Sequence, residues 1–371
     1  MINRTYIFIA SICLIFFAGL YYSVFLLHKQ TTSKHTQLTI YTWMDFIPPE
    51  LQKKFEDKTG IKLHIDYIDS DEGLEAKLLT GKAEYDIVYP STPYVFRHMK
   101  LGLYAPLSLE KIPNIQYVDK DFLNDFKTGS TLYSIPYLWG TSGFAYNTQT
   151  FNSIFPNETI DSWAYVFDPK KLKKIAKKGV SSTSCGNELF CAIGFWQNFR
   201  PQVSTLKTID IITQIANQAR PYWRVFLSSE SAIQALGSGE VAIAFMWNGD
   251  ALMAQQLGAL HNKKIQYVIP KEGSLKWIDE LAIPHNAPNY EAAHTLINFL
   301  LEPEHMALVT NYVRFANTCA KSKNFIRPDI LENKIIYPDE SVMKTLAIDT
   351  HANPQLERTI NRHFFKILVG Y

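Results

Sequence analysis

The chain has 371 residues, of which 37 are basic and 35 acidic, so its net charge at pH 7 is +2. Without residues 1–30, which hold Arg4 and Lys29 and no acid, the remaining chain of about 340 residues is neutral. A neutral body argues against a nucleic-acid partner, since phosphate binding requires a basic face. The remaining length is enough for two domains of ordinary size.

The N-terminal segment predicts export. Arg4 is followed by residues 6–27, which carry no charge, and then by His28 and Lys29. A positive end before a long apolar run is typical of a secretory signal, and a run of this length can also span a bilayer. Residues 1–30 are therefore interpreted as a signal peptide or an N-terminal membrane anchor, and both alternatives stay open.

The first part of the body alternates strands and helices. Apolar residues at every second position predict strands, and Leu51 and Phe55 at helical spacing predict a helix that prolines open and Gly60 ends. This order is typical of a parallel sheet with helices on its faces. The predicted elements are a strand over residues 38–43, a helix over 49–60, a strand over 61–67, a helix over 72–80 and a strand over 86–89.

The pattern recurs in the second part of the chain, which favours two α/β lobes. Residues 241–246 form a continuous apolar run that predicts a fully buried strand, and residues 281–284 form a shorter one. The predicted helices cover residues 209–220, 229–236, 291–301 and 304–313.

The cysteines leave two interpretations open. Cys185 and Cys191 are close in sequence, and an exported location would allow a disulfide between them. The alternative is that both, like Cys319, are unpaired core residues. No Cys/His pattern has the spacing of a structural zinc site, and no metal or cofactor is expected.

Aromatic and polar residues follow several predicted strands, where ligands bind in open parallel sheets. Two of these points pair a tryptophan with an aspartate two residues on, namely Trp43 with Asp45 and Trp277 with Asp279. Indole faces attract ammonium groups, and carboxylates bind them through charge-assisted hydrogen bonds. A core or rim role for each tryptophan is the alternative. The four predicted strand ends are residues 43–46, 91–94, 247–249 and 277–279.

Several ordered segments resemble one family. The chain is similar to bacterial periplasmic spermidine/putrescine-binding proteins, the receptors of polyamine ABC importers, from about Leu38 to the C-terminus. The resemblance implies an α/β periplasmic binding protein fold of two lobes with the ligand cleft between them. The segments are YTWMDFIPPELQKKFEDKTGIKL, YDIVYPSTPYV, YSIPYLWGTSGFAYN, MWNGDALMAQQLGA, PKEGSLKWIDELAIPHNA and LINFLLEPE.

The resemblance also implies lobe boundaries and a closing motion. Lobe one is expected over residues 38–140 with a return segment at 279–320. Lobe two is expected over residues 141–278 with the C-terminal segment 321–371. The lobes are expected to close about crossings near Gly140 and residues 272–273.

The resemblance implies a ligand site that departs from the family in several places. Phe46, Pro93 and Phe315 stand where relatives have tyrosine, and Cys185 replaces an aspartate, so hydrogen-bonding groups and one carboxylate are lost. The ligand is therefore expected to be an amine of uncertain length and charge. The residues implied to bind it are Trp43, Asp45, Phe46, Ser91, Glu188, Trp247, Trp277, Asp279 and Phe315.

The implied function is a non-enzymatic periplasmic receptor that delivers a polyamine to an inner-membrane ABC permease. A membrane-tethered sensor of another small cation, with the N-terminus contacting the inner membrane, is the first alternative. An enzyme with Cys185 or Ser142 as nucleophile is disfavoured, because neither a GxSxG nor an HExxH motif is present. A ferric-ion receptor using Tyr94, Tyr137 and Tyr146 is also disfavoured, because no adjacent tyrosines stand with a histidine.

Overall fold

The chain folds at its start as the sequence predicts. The computed structural model describes residues 37–81, 84–123, 127–128, 131–200, 205–349 and 354–370. Leu38 and Ile40 are fully buried in the first strand. The first helix has a proline in its first turn, buries Leu51 and Phe55, and ends at Gly60, whose φ of 73° is left-handed.

The predicted signal peptide or anchor, residues 1–30, lies outside the described residues. Among the helices that the structure does describe, none is both long enough and apolar enough to cross a membrane. The choice between a signal and an anchor therefore stays a prediction.

The strands form a mixed sheet of eleven and a separate hairpin. Their bounds are β1 (Gln37–Thr42), β2 (Lys62–Tyr67), β3 (Ile87–Val88), β4 (Lys127–Thr128), β5 (Thr131–Leu132), β6 (Ser134–Asn147), β7 (Val180–Thr183), β8 (Val225–Leu227), β9 (Ile243–Trp247), β10 (Ile265–Val268), β11 (Ser274–Ala282), β12 (Ala316–Asn317) and β13 (Leu346–Ala347).

Helices cover both faces of the sheet and fill most connections. Their bounds are α1 (Pro49–Thr59), α2 (Asp71–Leu79), α3 (Thr92–Lys100), α4 (Lys120–Leu123), α5 (Thr148–Ile154), α6 (Ala164–Phe167), α7 (Pro169–Ile175), α8 (Gly186–Trp196), α9 (Leu206–Ala219), α10 (Ser229–Ser238), α11 (Asn248–Leu260), α12 (Tyr290–Leu300), α13 (Pro303–Val313), α14 (Pro328–Leu331), α15 (Glu340–Met343) and α16 (Pro354–Val369).

The sheet is parallel at both ends and antiparallel in the middle. Its strand order is β2, β1, β3, β11, β6, β9, β7, β8, with β10 and β12 paired to β6 and β13 paired to β11. β1 is parallel to β2 and β3, as predicted, and β7 is parallel to β8 and β9. β6 is antiparallel to β9, β10 and β11, which the prediction of a purely parallel sheet did not include.

Among the strands that the sequence did not predict is β6, the longest strand of the described residues. β6 has 14 residues, all of them buried, so it lacks the alternation that marks a strand with one face in water. The apolar run at 241–246 falls on β9 and the run at 281–284 on the end of β11. Both therefore pair with β6.

Two main hydrophobic cores flank the crossing strands. The first contains Leu38, Phe55 and Leu281, and the second contains Phe144 and Trp163. A smaller third cluster packs between α10, α11 and the sheet. The first core marks one half of the molecule and the second core marks the other, and we call them the first and the second half. The residue boundaries expected for the two lobes stay a prediction. Ile326, Ile330 and Ile336, beyond the return segment, also pack in the first core.

The start of β11 is held to the second core by Trp163. This side chain is fully buried, and its indole N–H donates to the carbonyl of Gly273 at 3.0 Å. We expect Trp163→Phe to lower the free energy of unfolding by about 1–3 kcal/mol, because it leaves that buried carbonyl without its donor. Denaturant unfolding of both proteins measures the difference. Trp196→Phe is the matched control, and an equal loss there would contradict the assigned role of the hydrogen bond.

Candidate functional site

The pairing of β11 with β6 is irregular beside two acidic residues. Asp279 lies opposite Leu138, whereas Glu280 lies opposite Pro136, so the register shifts between the two acids. Such a bulge re-aims side chains, and here both carboxylates are buried. Trp277 and Asp279 therefore lie inside a strand, which corrects the prediction that they follow one.

Ser91 joins two carboxylates in the first half of the molecule. Its hydroxyl donates to Asp279 Oδ1 at 2.8 Å, and its backbone N–H donates to Asp71 Oδ1 at 3.0 Å. Ser91 precedes α3, yet its side chain makes no capping bond to that helix. The structure thus brings the predicted pair Ser91 and Asp279 together and adds Asp71, which the sequence did not reveal.

Burial controls the charge of this first carboxylate centre. It raises the pKa of Asp279 well above the ordinary value, and the charge of Asp71 raises it further. Burial also raises the pKa of Asp71 to about 7, although the bonds from Ser91 oppose the shift. A cation beside two such groups favours their charged forms. The arrangement is therefore suited to a positively charged ligand.

A second carboxylate centre lies in the other half. Glu188, in the first turn of α8, is buried, and its Oε1 accepts a hydrogen bond from the indole N–H of Trp247 at 3.1 Å. Its Oε2 is buried and has no hydrogen-bond partner within the described residues. Burial raises the pKa of Glu188, and the hydroxyl of Ser142 and the indole N–H of Trp247 lower it. The structure thus brings the predicted pair Glu188 and Trp247 together, and Oε2 of Glu188 is left without a hydrogen bond from the described residues.

Five rings form a continuous row, which we call the aromatic wall: Tyr137, Tyr89, Phe46, Phe315 and Trp277. Successive ring centroids are 5.7, 6.3, 6.2 and 4.8 Å apart, all in edge-to-face contact. The indole N–H of Trp277 is buried without a partner in the described part of the chain. Trp277, two residues from Asp279, and Phe315 are partly exposed and offer ring surface to an apolar stem or a cation. The other three rings are buried in the first core.

Two glycines lie against the aromatic wall, Gly140 opposite Trp277 in the pairing of β6 with β11 and Gly249 at the start of α11. A Cβ on Gly140 would lie 2.2 Å from Trp277, and a Cβ on Gly249 would lie 2.2 Å from Phe315. Both distances are shorter than Cβ atoms show in real contacts, so only glycine fits at these positions without displacing the ring. Because Gly249 follows Trp247 by two residues, this contact places the second carboxylate centre beside the wall.

The loop after β1 carries the other two predicted residues. Trp43 is partly buried, and its indole N–H has no partner among the residues described. Asp45 is exposed and has a φ of 68°, a conformation that aspartate adopts more readily than most residues. Within the described chain no hydrogen bond or ion pair joins Asp45 to another predicted site residue, so its role stays a prediction.

Asp250 is a further candidate that the sequence interpretation missed. It lies in the first turn of α11, is buried, and its Oδ2 has no partner in the part of the chain described. Burial raises its pKa to about 6. A carboxylate three residues after a tryptophan at the end of a strand was a signal that could have revealed it. For Asp71, the first residue of α2, no comparable signal exists.

The tyrosines proposed for a ferric ion have separate surroundings. Tyr146 donates to Gln266 at 3.1 Å, Tyr94 lies 3.4 Å from Glu357, and Tyr137 belongs to the aromatic wall. In the described residues, no three His, Cys, Asp or Glu side chains converge on a metal position. Nothing in this geometry favours a metal-ion receptor.

Comparison with known proteins identifies the family. The model of the bacterial extracellular solute-binding protein family matches residues 50–330. The chain belongs to this family. Among similar proteins is the putrescine-binding periplasmic protein SpuD of Pseudomonas aeruginosa, 35% identical over 338 residues, which are 90% of this chain and 92% of SpuD. The putrescine-binding periplasmic protein PotF of Escherichia coli is 30% identical over 341 residues, 90% of this chain and 91% of PotF.

A solved structure supports the same relationship. The spermidine/putrescine ABC transporter substrate-binding protein PotD of Streptococcus pneumoniae superposes with a TM-score of 0.75 at 26% identity, covering 90% of this chain and 99% of that chain. The two-lobed α/β fold and the family resemblance predicted from the sequence are confirmed.

The disulfide hypothesis is wrong for this structure, in which Cys185 and Cys191 are free thiols. Cys185 is the N-cap of α8 and Cys191 lies within that helix. Six residues of helix span about 9 Å, whereas disulfides need Cα atoms within about 7 Å. The helix therefore keeps the two sulfur atoms apart.

We expect both thiols to be titratable without reductant. Alkylation of the unfolded chain should add two groups to the proteolytic peptide that holds Cys185 and Cys191, as measured by mass spectrometry. Cys185→Ser is the control and should leave one group. A peptide that gains no group until it is reduced would contradict the structure.

Proposed function

We propose that this solute-binding protein captures a linear di- or polyamine, putrescine or spermidine, outside the cytoplasm and delivers it to an inner-membrane ABC permease. One observation carries the proposal. A buried carboxylate centre stands in each half of the molecule, Asp279 with Ser91 and Glu188 with Trp247, and the aromatic wall lies beside both. An amine with two charged ends and an apolar stem matches this pattern.

The relatives support the chemical class of the ligand. SpuD and PotF are named for putrescine, and the pneumococcal PotD for spermidine and putrescine. Trp43, Asp45, Phe46 and Phe315 complete the proposed binding set with the two carboxylate centres. The sensor alternative draws no support from these names, and that of PotD describes a substrate-binding protein of an ABC transporter. Periplasmic location follows from the same relatives as part of the proposal.

We propose that this protein is a receptor and not an enzyme. Burial raises the pKa of the Cys185 thiol to about 12, and the charge of Glu188 adds to the shift. A thiol that stays protonated at neutral pH is a poor nucleophile. The hydroxyl of Ser142 lies beside the carboxyl of Glu188, whose pKa it lowers, and within the described residues it forms no hydrogen bond with a histidine.

Closure of the two halves would complete the site. Arg97, on α3, forms ion pairs with Glu75 of the first half and with Glu357 of α16, which packs on α8 and α9. The helix that follows Ser91 is therefore tied to the second half. Closure excludes water and strengthens each contact between carboxylate and ammonium.

Asp279→Asn should weaken putrescine binding at least about tenfold, because a desolvated ammonium loses its charged partner. Glu188→Gln should have a similar effect from the other half. Isothermal titration calorimetry measures both dissociation constants. Asp329→Asn, at an exposed aspartate far along the chain from Asp71, Asp279 and Glu188, is the control and should bind as the unchanged protein does. Unchanged affinity in both site variants would overturn the assignment.

Amine binding should release protons near neutral pH. Asp71 and Asp279 have raised pKa values, about 7 for Asp71, so the free protein holds protons there that a bound ammonium displaces. The carboxyl groups lose their charge as the pH falls, so affinity should decrease from about pH 8 to about pH 6. Calorimetry in buffers with different ionisation enthalpies measures the released protons.

The control for this linkage is Asp71→Asn, which should release fewer protons on binding. Equal heats in all buffers, together with an affinity that does not change over this pH range, would contradict the proposed linkage.

A further inference from the structure

A row of lysines covers one outer edge of the second half. Residues 170–178 hold six lysines, and Leu172 and Ile175 between them are buried in the second core. The buried pair fixes α7 and the turn after it against the protein, so the cations face outward. Five of the lysines are exposed: Lys170, Lys173, Lys174, Lys177 and Lys178.

Two arginines extend this row toward the C-terminal helix. Exposed Arg224 donates to the carbonyl of Lys177 at 3.3 Å. Arg220 lies four residues earlier and donates to the carbonyls of Ile367 at 2.8 Å and Leu368 at 3.1 Å. The lysine row and the end of α16 therefore belong to one continuous surface.

Helix α16 adds both charge and exposed apolar area. Arg358, Arg362 and Lys366 are exposed along one side. Phe365 is 65% exposed and Val369 is 49% exposed, and both line a shallow groove with Arg362 and Lys366. A helix that presents apolar side chains between cations is typical of binding at a membrane interface.

Few acids neutralise this surface. Lys171 pairs with Glu158, and Asp210 lies near His363 of α16. Among the described residues, none of the five exposed lysines of the row, nor Arg358, Arg362 or Lys366, forms an ion pair. The neutral total charge thus hides a strong local excess of cations on the second half.

We propose that this surface, residues 170–178 with Arg224 and the exposed side of α16, docks on an anionic phospholipid bilayer. The lysines and arginines would contact lipid phosphates, while Phe365 and Val369 would enter the headgroup region. Such docking is independent of the amine site. It would confine the receptor to the plane in which a membrane permease lies.

The test uses the full chain on two kinds of vesicle, one of phosphatidylcholine alone and one with a third phosphatidylglycerol. Phosphatidylcholine reports any contact made by the uncharged N-terminal run, which does not need anionic lipid. Hydrogen exchange of backbone amides is followed by mass spectrometry. We expect exchange in α7 and α16 to slow at least about threefold on the anionic vesicles, and 0.5 M salt to remove the difference.

Charge reversal identifies the residues responsible. The combined variant Lys173→Glu, Lys177→Glu, Arg362→Glu and Lys366→Glu should show no difference between the two lipids. Phe365→Ser should reduce the difference without removing it. The matched control reverses exposed lysines elsewhere, Lys120→Glu and Lys264→Glu, and should behave as the unchanged protein does.

Each variant is first shown to unfold at the same temperature and to bind putrescine as before, which separates this proposal from that for the amine site. Slowed exchange that depends on anionic lipid and on the reversed residues supports docking. Identical exchange on both lipids overturns it, and so does a lipid effect that the charge-reversal variant retains. An acidic protein partner would then be the remaining explanation of the surface.

Discussion

The ligand site depends on one irregular pairing, that of β11 with β6. In a regular pair, consecutive residues point to opposite faces of the sheet. The bulge between Asp279 and Glu280 instead leaves both acids buried, where Ser91 binds the first and Thr92 and Ser134 bind the second. Burying two carboxyl groups is unfavourable unless each finds partners. Ser91 and Thr92 lie between the end of β3 and the first residue of α3, and Ser134 begins β6. Elements of the first half therefore supply the partners of both carboxyl groups at the bulge.

Two glycines make room for the rings beside the carboxylate centres. Gly140, paired with Trp277 across β6 and β11, leaves space for its indole, and Gly249 leaves space for Phe315. The carboxylate centres on either side repel one another when both are charged, and a bound dication removes that repulsion. The raised pKa of Asp279 has a local cause, since it comes from burial and from the charge of Asp71 in the same centre.

Charge is segregated within a chain whose total is almost neutral. Acids gather where the halves meet, and cations gather on the outer edge formed by α7 and α16. Opposite charges at separate surfaces attract different partners, a small cation in one place and an anionic surface in the other. The two surfaces are joined through the second core, in which Phe364 of α16 and Leu189 of α8 both pack, and through the ion pair of Arg97 with Glu357.

The sequence by itself determined the local elements and the family, and it pointed to several residues of the candidate site. Alternation and proline and glycine signals located β1, α1 and β2, because these depend on neighbours along the chain. Trp247 and Asp279 were singled out at the ends of predicted strands, and the family resemblance added Glu188. The sequence could not reveal β6, because Pro136, Gly140 and Gly143 interrupt both the alternation and the continuous apolar run that predict strands. It could not reveal Asp71 either, whose carboxylate meets Ser91 only through the fold. Contacts between residues far apart in sequence, and the burial that raises their pKa values, were decided by the tertiary structure alone.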